Sequence, residues 1–330
     1  MKHKKLIITL SVLGGTLLTI ILAVVTCISL YKTSIKRDYK DFHSKSEVFT
    51  NMPGLDNNFV PQGIAYNETH NLFIVVGYDP DKNPSTLYII NEEGQMIKGL
   101  NVKLENGKFY TGHAGGVVSI EDKIYMSSGS KIYTLSVQKA LDSSGFITCE
   151  AVTKVDVSGA TIFNYNNYLF VTEFYEEKNY PTDETHHLVT PNNYQNKALA
   201  FGYEIDLTTS SGLKSNEPKV VISIPERIQG IVVKDNKIIM SQSYGRYNDS
   251  HILTYDNVLI KETNYTYSHN DKILPLYYID ESNLVESLKA PVLSEGICLY
   301  NGKIAIIFES GASKYRVTAR CVVEDIYFIK

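Results

Sequence analysis

The chain has 330 residues, 43% hydrophobic and 21% charged, with 10 Pro and 4 Cys. That balance excludes a mainly disordered polypeptide and a disulfide-dense mini-protein. Seven of the 32 basic residues but only one of the 36 acidic residues lie in residues 1–40, leaving 25 basic against 35 acidic residues beyond, a net −10; the basic face of a nucleic-acid binder is absent, and no nucleic-acid partner is expected.

In chain order, Met1–Lys5 is basic and Leu6–Leu30 runs for 25 residues without a charge. About 20 apolar residues span a bilayer as a helix, and a cleaved leader has a much shorter apolar stretch. Residues 1–40 therefore read as a cytoplasmic stub, an uncleaved transmembrane signal anchor and a linker. Residues 41–330 read as a separate domain outside the cytoplasm, on a single-pass protein of the cell membrane. Cys149, Cys298 and Cys321 allow at most one disulfide, and buried free thiols are expected.

Five stretches then repeat one pattern: a polar and a small residue, a short apolar strand, a tight polar turn, and a second apolar strand ending in polar residues. They begin at Gln62-Gly63, Gly115-Gly116, Ala160-Thr161, Gln229-Gly230 and Glu295-Gly296. Further strand candidates follow, at Ser85–Ile90, Lys131–Val137, Ala198–Ile205, Lys219–Ile224 and Ile252–Leu259. Four antiparallel strands per unit is the β-propeller blade signature. The fold class is all-β, a propeller of five blades, with six as the alternative. The last unit has room for only about three strands, and Ser46–Thr50 is expected to supply its outer strand and close the ring. Lys178–Asn196 and Lys261–Lys272 read as insertions, and Ser282–Lys289 as a short amphipathic helix.

Val60-Pro61-Gln62-Gly63-Ile64-Ala65 resembles the innermost strand of the strictosidine-synthase-like, gluconolactonase-like and NHL-type propellers. Together with His113–Gly116, Gln229-Gly230 and Ser241–Arg246, it is closest to a group of anchored or secreted bacterial propellers of unassigned function. The resemblance implies the architecture. In gluconolactonase-like members Glu, Asn and Asp hold a channel metal, whereas this chain has Gln62, Gly115, Ala160, Gln229 and Glu295 there. Ser294–Ile297 followed by Phe308-Glu309 also resembles the Glu-Gly…Glu spacing of esterase-like phytase propellers.

The leading polar residues of the inner strands should converge on the channel. Gln62, Gln229 and Glu295 share one position, and His113, two residues before Gly115, points the same way. The second strands end in Glu173, in Ser241-Gln242-Ser243-Tyr244-Gly245-Arg246, and in Glu309 with Arg316 downstream. Arg binds carboxylate and phosphate bidentately. Gln62, Glu173, Gln229, Ser241, Tyr244, Arg246 and Arg316 are the candidate ligand-binding set. Its bland alternative is that Arg246 and Arg316 pair with Glu173 and Glu309 between blades. Glu295, Glu309 and His113 are the candidate catalytic set, able to act as general acid and base or to hold a divalent cation such as Ca²⁺ or Mg²⁺. His186-His187 reads as a solvated loop. Two functions follow: a membrane-tethered module binding a small polar or anionic ligand or a surface protein, or a hydrolase acting on an ester, phosphoester or glycoside.

Overall fold

A computed structural model describes residues 16–27, 29, 34–35 and 37–330. The chain divides into two compact units, 1–44 and 45–330. The first is helical over residues 16–27. Part of the apolar run expected to anchor the chain lies outside the described residues; among those described, no helix is long and apolar enough to cross a membrane.

The second unit is all-β. It opens with β1 (Ser46–Asn51), followed by β2 (Val60–Asn67), β3 (Leu72–Tyr78), β4 (Thr86–Asn91) and β5 (Met96–Lys103), which form the first blade. The second contains β6 (Gly116–Ile120), β7 (Lys123–Ser136) and β9 (Ala151–Gly159). The first half of β7 pairs with β6 and the second half with β9, so β7 fills both middle positions. Between them β8 (Phe146–Thr148) adds to β5 in parallel.

The third blade is β10 (Thr161–Tyr165), β11 (Tyr168–Thr172), β14 (Ala198–Ile205) and β15 (Leu213–Ile224), with the small hairpin of β12 (Leu188–Val189) and β13 (Gln195–Asn196) inserted. The fourth is β16 (Ile228–Lys234), β17 (Lys237–Gln242), β18 (Ser250–Asp256) and β21 (Leu284–Ala290). Its insertion supplies β19 (Thr266–His269) and β20 (Lys272–Tyr278), which extend the third sheet through a parallel β15–β20 pairing. The fifth is β22 (Ser294–Tyr300), β23 (Lys303–Phe308) and β24 (Asp325–Ile329), with β1 outermost.

Five blades form, and the six-bladed alternative is excluded. β1 pairs with β24 from Ser46↔Ile329 to Asn51↔Asp325, so the two ends of the propeller share one sheet, as its sequence suggested. Phe49 stacks on Phe328 at 4.6 Å and meets Phe73 at 4.9 Å, which carries the closure into the first blade. The segment Ser282–Lys289 is corrected: it is not a helix. A 3₁₀ turn at Glu281–Asn283 leads into β21, because pairing with β18 satisfies its backbone and buries Leu288 and Ala290.

Inner strands β2, β6, β10, β16 and β22 touch in a closed ring. The repeated Gly has a steric cause there. A Cβ on Gly63 would lie 2.8 Å from the Val117 amide, one on Gly230 2.8 Å from the Ile297 amide, and one on Gly296 2.8 Å from the Gly63 Cα. Strand alternation then layers the channel. Gln62, Gly115, Ala160, Gln229 and Glu295 form its polar tier. Two residues further along, Ile64, Val117, Ile162, Ile231 and Ile297 are each no more than 5% exposed, and the first four pack into four separate cores between blades. The polar tier opens into a basin, and the aliphatic residues line a separate cavity of about 500 Å³.

Candidate functional site

The basin lies where inner strands begin and second strands end. Its cavity of about 790 Å³ is lined by Gln62, His113, Glu173, Gln229, Tyr244, Arg246, Glu295 and Glu309, all singled out in the sequence, together with Ser158, Phe174, Tyr180 and Tyr315. Ser241 and Arg316 are not among its lining residues. The Ser241 hydroxyl lies buried 2.8 Å from that of Ser294. Arg316 turns to Glu324 at 2.9 Å and to the Gly311 carbonyl at 3.0 Å. The alternative pairing of Arg246 and Arg316 with Glu173 and Glu309 does not form among the described residues.

Two carboxyls form the floor. Glu295 is the second residue of β22, and Glu309 follows the paired strand β23 directly; they are 2% and 7% exposed. Gln229 Nε2 donates to Glu295 Oε1 at 3.2 Å, and Gln62 Nε2 donates to Glu309 Oε2 at 3.0 Å. Burial, the neighbouring Glu309 charge and a hydrogen bond to Glu309 push Glu295 well above the usual carboxylate range. Burial pushes Glu309 up to about 7, against the opposing pull of Lys314 and of hydrogen bonds from Gln62, Tyr315 and Glu295. Two adjacent buried carboxyls cannot both ionise. Burial keeps both carboxyls above the usual carboxylate range, so the pair retains a proton more readily than an exposed carboxylate does.

The wall on one side is basic and aromatic. Lys314 Nζ donates to the Tyr78 hydroxyl at 2.5 Å. Tyr78 packs its ring on His113, with centroids 4.0 Å apart. His113 opens onto the basin yet is enclosed by protein on its other sides; that enclosure, with Lys314 and Lys82 nearby, lowers its pKa to about 4. The imidazole is neutral at pH 7, and its ring nitrogens have no hydrogen-bond partner among the described residues. The Arg246 guanidinium carbon lies 5.0 Å from the Tyr315 ring, and its Nη1 donates to the Thr318 hydroxyl at 2.9 Å.

The opposite wall holds a pair that the sequence did not reveal. His186, read as solvated, places Nδ1 2.9 Å from Glu173 Oε1, while Glu173 Oε2 accepts from the Leu199 amide at 3.0 Å. Burial opposes the imidazolium, but the hydrogen bond and charge of Glu173 raise the His186 pKa overall. No local spacing announced this contact, because the two residues lie 13 apart across an insertion. The same insertion brings Asn179 to the Tyr244 hydroxyl at 2.5 Å and Tyr180 edge-on to Phe174, forming an aromatic rim.

Among the described residues no group of three His, Cys, Asp or Glu side chains is placed to hold a metal ion. All four cysteines are free; Cys149 and Cys298 are buried as expected, whereas Cys321, also expected to be buried, is only half-buried because it lies in a bend and not in a strand.

The ring of blades and its polar basin define a five-bladed β-propeller. No protein-family model matches the chain, and no curated protein matches it. Among solved structures it is similar to a glutaminyl cyclase of Myxococcus xanthus, with 10% identity over 86% of this chain and 95% of that one, at a TM-score of 0.45. It is also similar to the hydrazine synthase of Kuenenia stuttgartiensis, with 9% identity over 76% of this chain and 81% of that one, at a TM-score of 0.39.

Proposed function

We propose that the protein is a hydrolase that cleaves a small ester or amide by acid–base chemistry at Glu295 and Glu309. The observation that carries this reading is the pair of buried carboxyls, Glu295 held by Gln229 and Glu309 held by Gln62, on the floor of an open basin. Glu309, as the carboxylate, takes a proton from water while the water oxygen bonds to the substrate carbonyl carbon. Glu295 gives its proton to the departing oxygen or nitrogen as the C–O or C–N bond breaks. The pair ends with one proton, as it began, and the products are a carboxylic acid and an alcohol or amine. Neutral His113 donates a hydrogen bond to the carbonyl oxygen. Glycoside cleavage is disfavoured at this pair, since it needs carboxyls at least about 5 Å apart, and a hydrogen-bonded pair is closer than that.

The test is turnover of chromogenic esters and anilides of small acids by the full-length chain between pH 5 and 9. A bell-shaped profile is expected, because only the one-proton state works. Glu295→Gln and Glu309→Gln should each lower kcat/KM at least a hundredfold in chains that remain folded throughout that range. Absence of turnover in the parent chain, or turnover indifferent to both substitutions, overturns the proposal. The aromatic rim of Phe174, Tyr180 and Tyr244 favours a second reading, capture of a ligand without turnover, and saturable binding with no product would identify it.

We also propose that the uncharged run Leu6–Leu30 tethers the propeller to the cell membrane, with residues 41–330 outside the cytoplasm. Protease added to intact cells should then remove the propeller and leave the N-terminal stub; full protection refutes the orientation.

A further inference from the structure

We infer that the substrate carries a free carboxylate and that Arg246 is the residue that selects it; this rests on the reading of Glu295 and Glu309 as the reaction centre. Arg246 lines the basin, yet it has no carboxylate partner among the described residues. Its side chain is nevertheless held in place. Nη1 is fixed by Thr318, its backbone carbonyl accepts from the Arg320 amide at 2.9 Å, and the guanidinium lies against the Tyr315 ring. That leaves the Nε–Nη2 edge without a protein partner. Two parallel N–H donors in one plane match the two oxygens of a carboxylate.

The surroundings reinforce an anion there. Lys314 Nζ lies 4.9 Å from the centre of the same Tyr315 ring that Arg246 approaches to 5.0 Å, so the two cationic groups are no more than 9.9 Å apart. Like charges held this close repel one another, and the pKa of Lys314 is lowered by burial and by Arg246 and Lys82, against the pull of Glu309. An anion relieves that repulsion. Position also limits the size of the substrate. The Tyr315 hydroxyl reaches Glu309 while its ring meets Arg246, so a single side chain separates the cationic edge from the acid pair. A short acyl compound with its carboxylate at Arg246 brings its ester or amide carbonyl over Glu295 and Glu309. N-acylated amino acids and O-acylated hydroxy acids have that shape.

The experiment is a ligand-observed NMR titration of the full-length chain with N-acetylglycine, its neutral analogue N-acetylglycinamide, and inorganic phosphate, at constant ionic strength. N-acetylglycine is expected to bind at least tenfold more tightly than the amide. Arg246→Gln should remove that preference, and Arg246→Lys should restore only part of it because the planar fork is lost. Glu295→Gln, which stops turnover, should change N-acetylglycine binding less than threefold, so failure of the hydrolase reading and failure of the carboxylate subsite are distinguishable. Equal affinity for acid and amide overturns the inference, and so does a preference that survives Arg246→Gln in a chain that melts normally. Tighter binding of phosphate than of N-acetylglycine assigns the subsite to a phosphoester and also overturns it.

Discussion

Replacing Glu309 by Gln should flatten the pH dependence of stability between pH 4.5 and 8. Folding moves Glu309 from its ordinary value of 4.5 to about 7. Between those values the folded chain keeps a proton that the unfolded chain releases. The contribution is therefore fully present below pH 4.5 and is lost as pH rises through 7. A difference of about 2.5 in pKa, at about 1.4 kcal/mol each, makes the loss about 3 kcal/mol by pH 8. Glutamine has the same shape, still accepts from Gln62, and does not titrate. The variant also removes the Glu309 charge that helps raise Glu295, so the comparison reads the pair as a unit.

Urea unfolding of the full-length parent and Glu309→Gln chains, at half-unit intervals from pH 4.5 to 8, isolates this quantity as a difference. Other carboxylates and histidines titrate in both chains and cancel. With a slope of about 3 kcal/mol per molar, the parent midpoint should fall by about 1 M more than that of the variant. At pH 8 the variant should be the more stable chain. Parallel curves would show that Glu309 is ionised throughout this range, and the shared proton, with the acid–base roles built on it, would be refuted. An infrared band of a protonated carboxyl at pH 7, absent from Glu295→Gln, is the corresponding spectroscopic check.

Gly296→Ala should cost about 3 kcal/mol in a thermal or urea melt, since its Cβ meets the Gly63 Cα and the Ile64 amide at 2.8 and 2.9 Å and neither backbone can yield without opening the ring. Gly107→Ala, with open space around it and only a positive φ to accommodate, should cost about 1 kcal/mol. His186→Ala leaves Glu173 buried without its imidazole partner and should destabilise by about 2 kcal/mol. Limited proteolysis should then cut the segment 174–197 faster than in the parent. Since the His186 pKa is raised, the parent's own protection should be complete below pH 6.5 and decline as pH rises past the folded value.

The propeller was legible because its information is local and repeated. Each Gln-Gly, Gly-Gly or Glu-Gly start marks a point where two inner strands come too close for a side chain, and each Asn- or Asp-rich turn sets a hairpin. Closure by Ser46–Thr50 followed from counting strands in the last unit. Ser282–Lys289 was misread because its helical spacing was real but weaker than the demand of an open sheet edge beside β18. At the site, residues on strand ends were placed correctly by alternation alone, as with Gln62, Gln229 and Glu295. Residues on loops divided, since His113, Tyr244 and Arg246 line the basin and Arg316 does not, and Ser241 near the end of β17 also lies outside it. Arg316 and Lys314 lie two apart on one helical turn, Ser313–Arg316, so they project differently: Lys314 reaches Tyr78 while Arg316 reaches Glu324. The Glu173–His186 contact joins a strand end to an insertion, and nothing local encodes such a meeting.

The acid pair is costly to the fold, and its position shows what the cost accompanies. Every other blade start in the channel is filled by Gln, Gly or Ala, none of which titrates, and Glu295 alone brings a carboxyl to that tier. Glu309 opens the 3₁₀ turn that directly follows β23, one residue past the Ser294↔Phe308 pair, so the ladder between β22 and β23 brings the two carboxyls to one end of the hairpin. A second Gln at position 295 would satisfy the hydrogen bonds of Gln229 and Glu309 without burying an ionisable group or forcing a shared proton. The chain instead keeps an arrangement that weakens it at neutral and alkaline pH, places it beneath an open basin, and surrounds it with a neutral imidazole and an unpaired guanidinium edge. A purely structural network has no use for proton exchange with the contents of a cavity, whereas a reaction that moves one proton in and one proton out requires it.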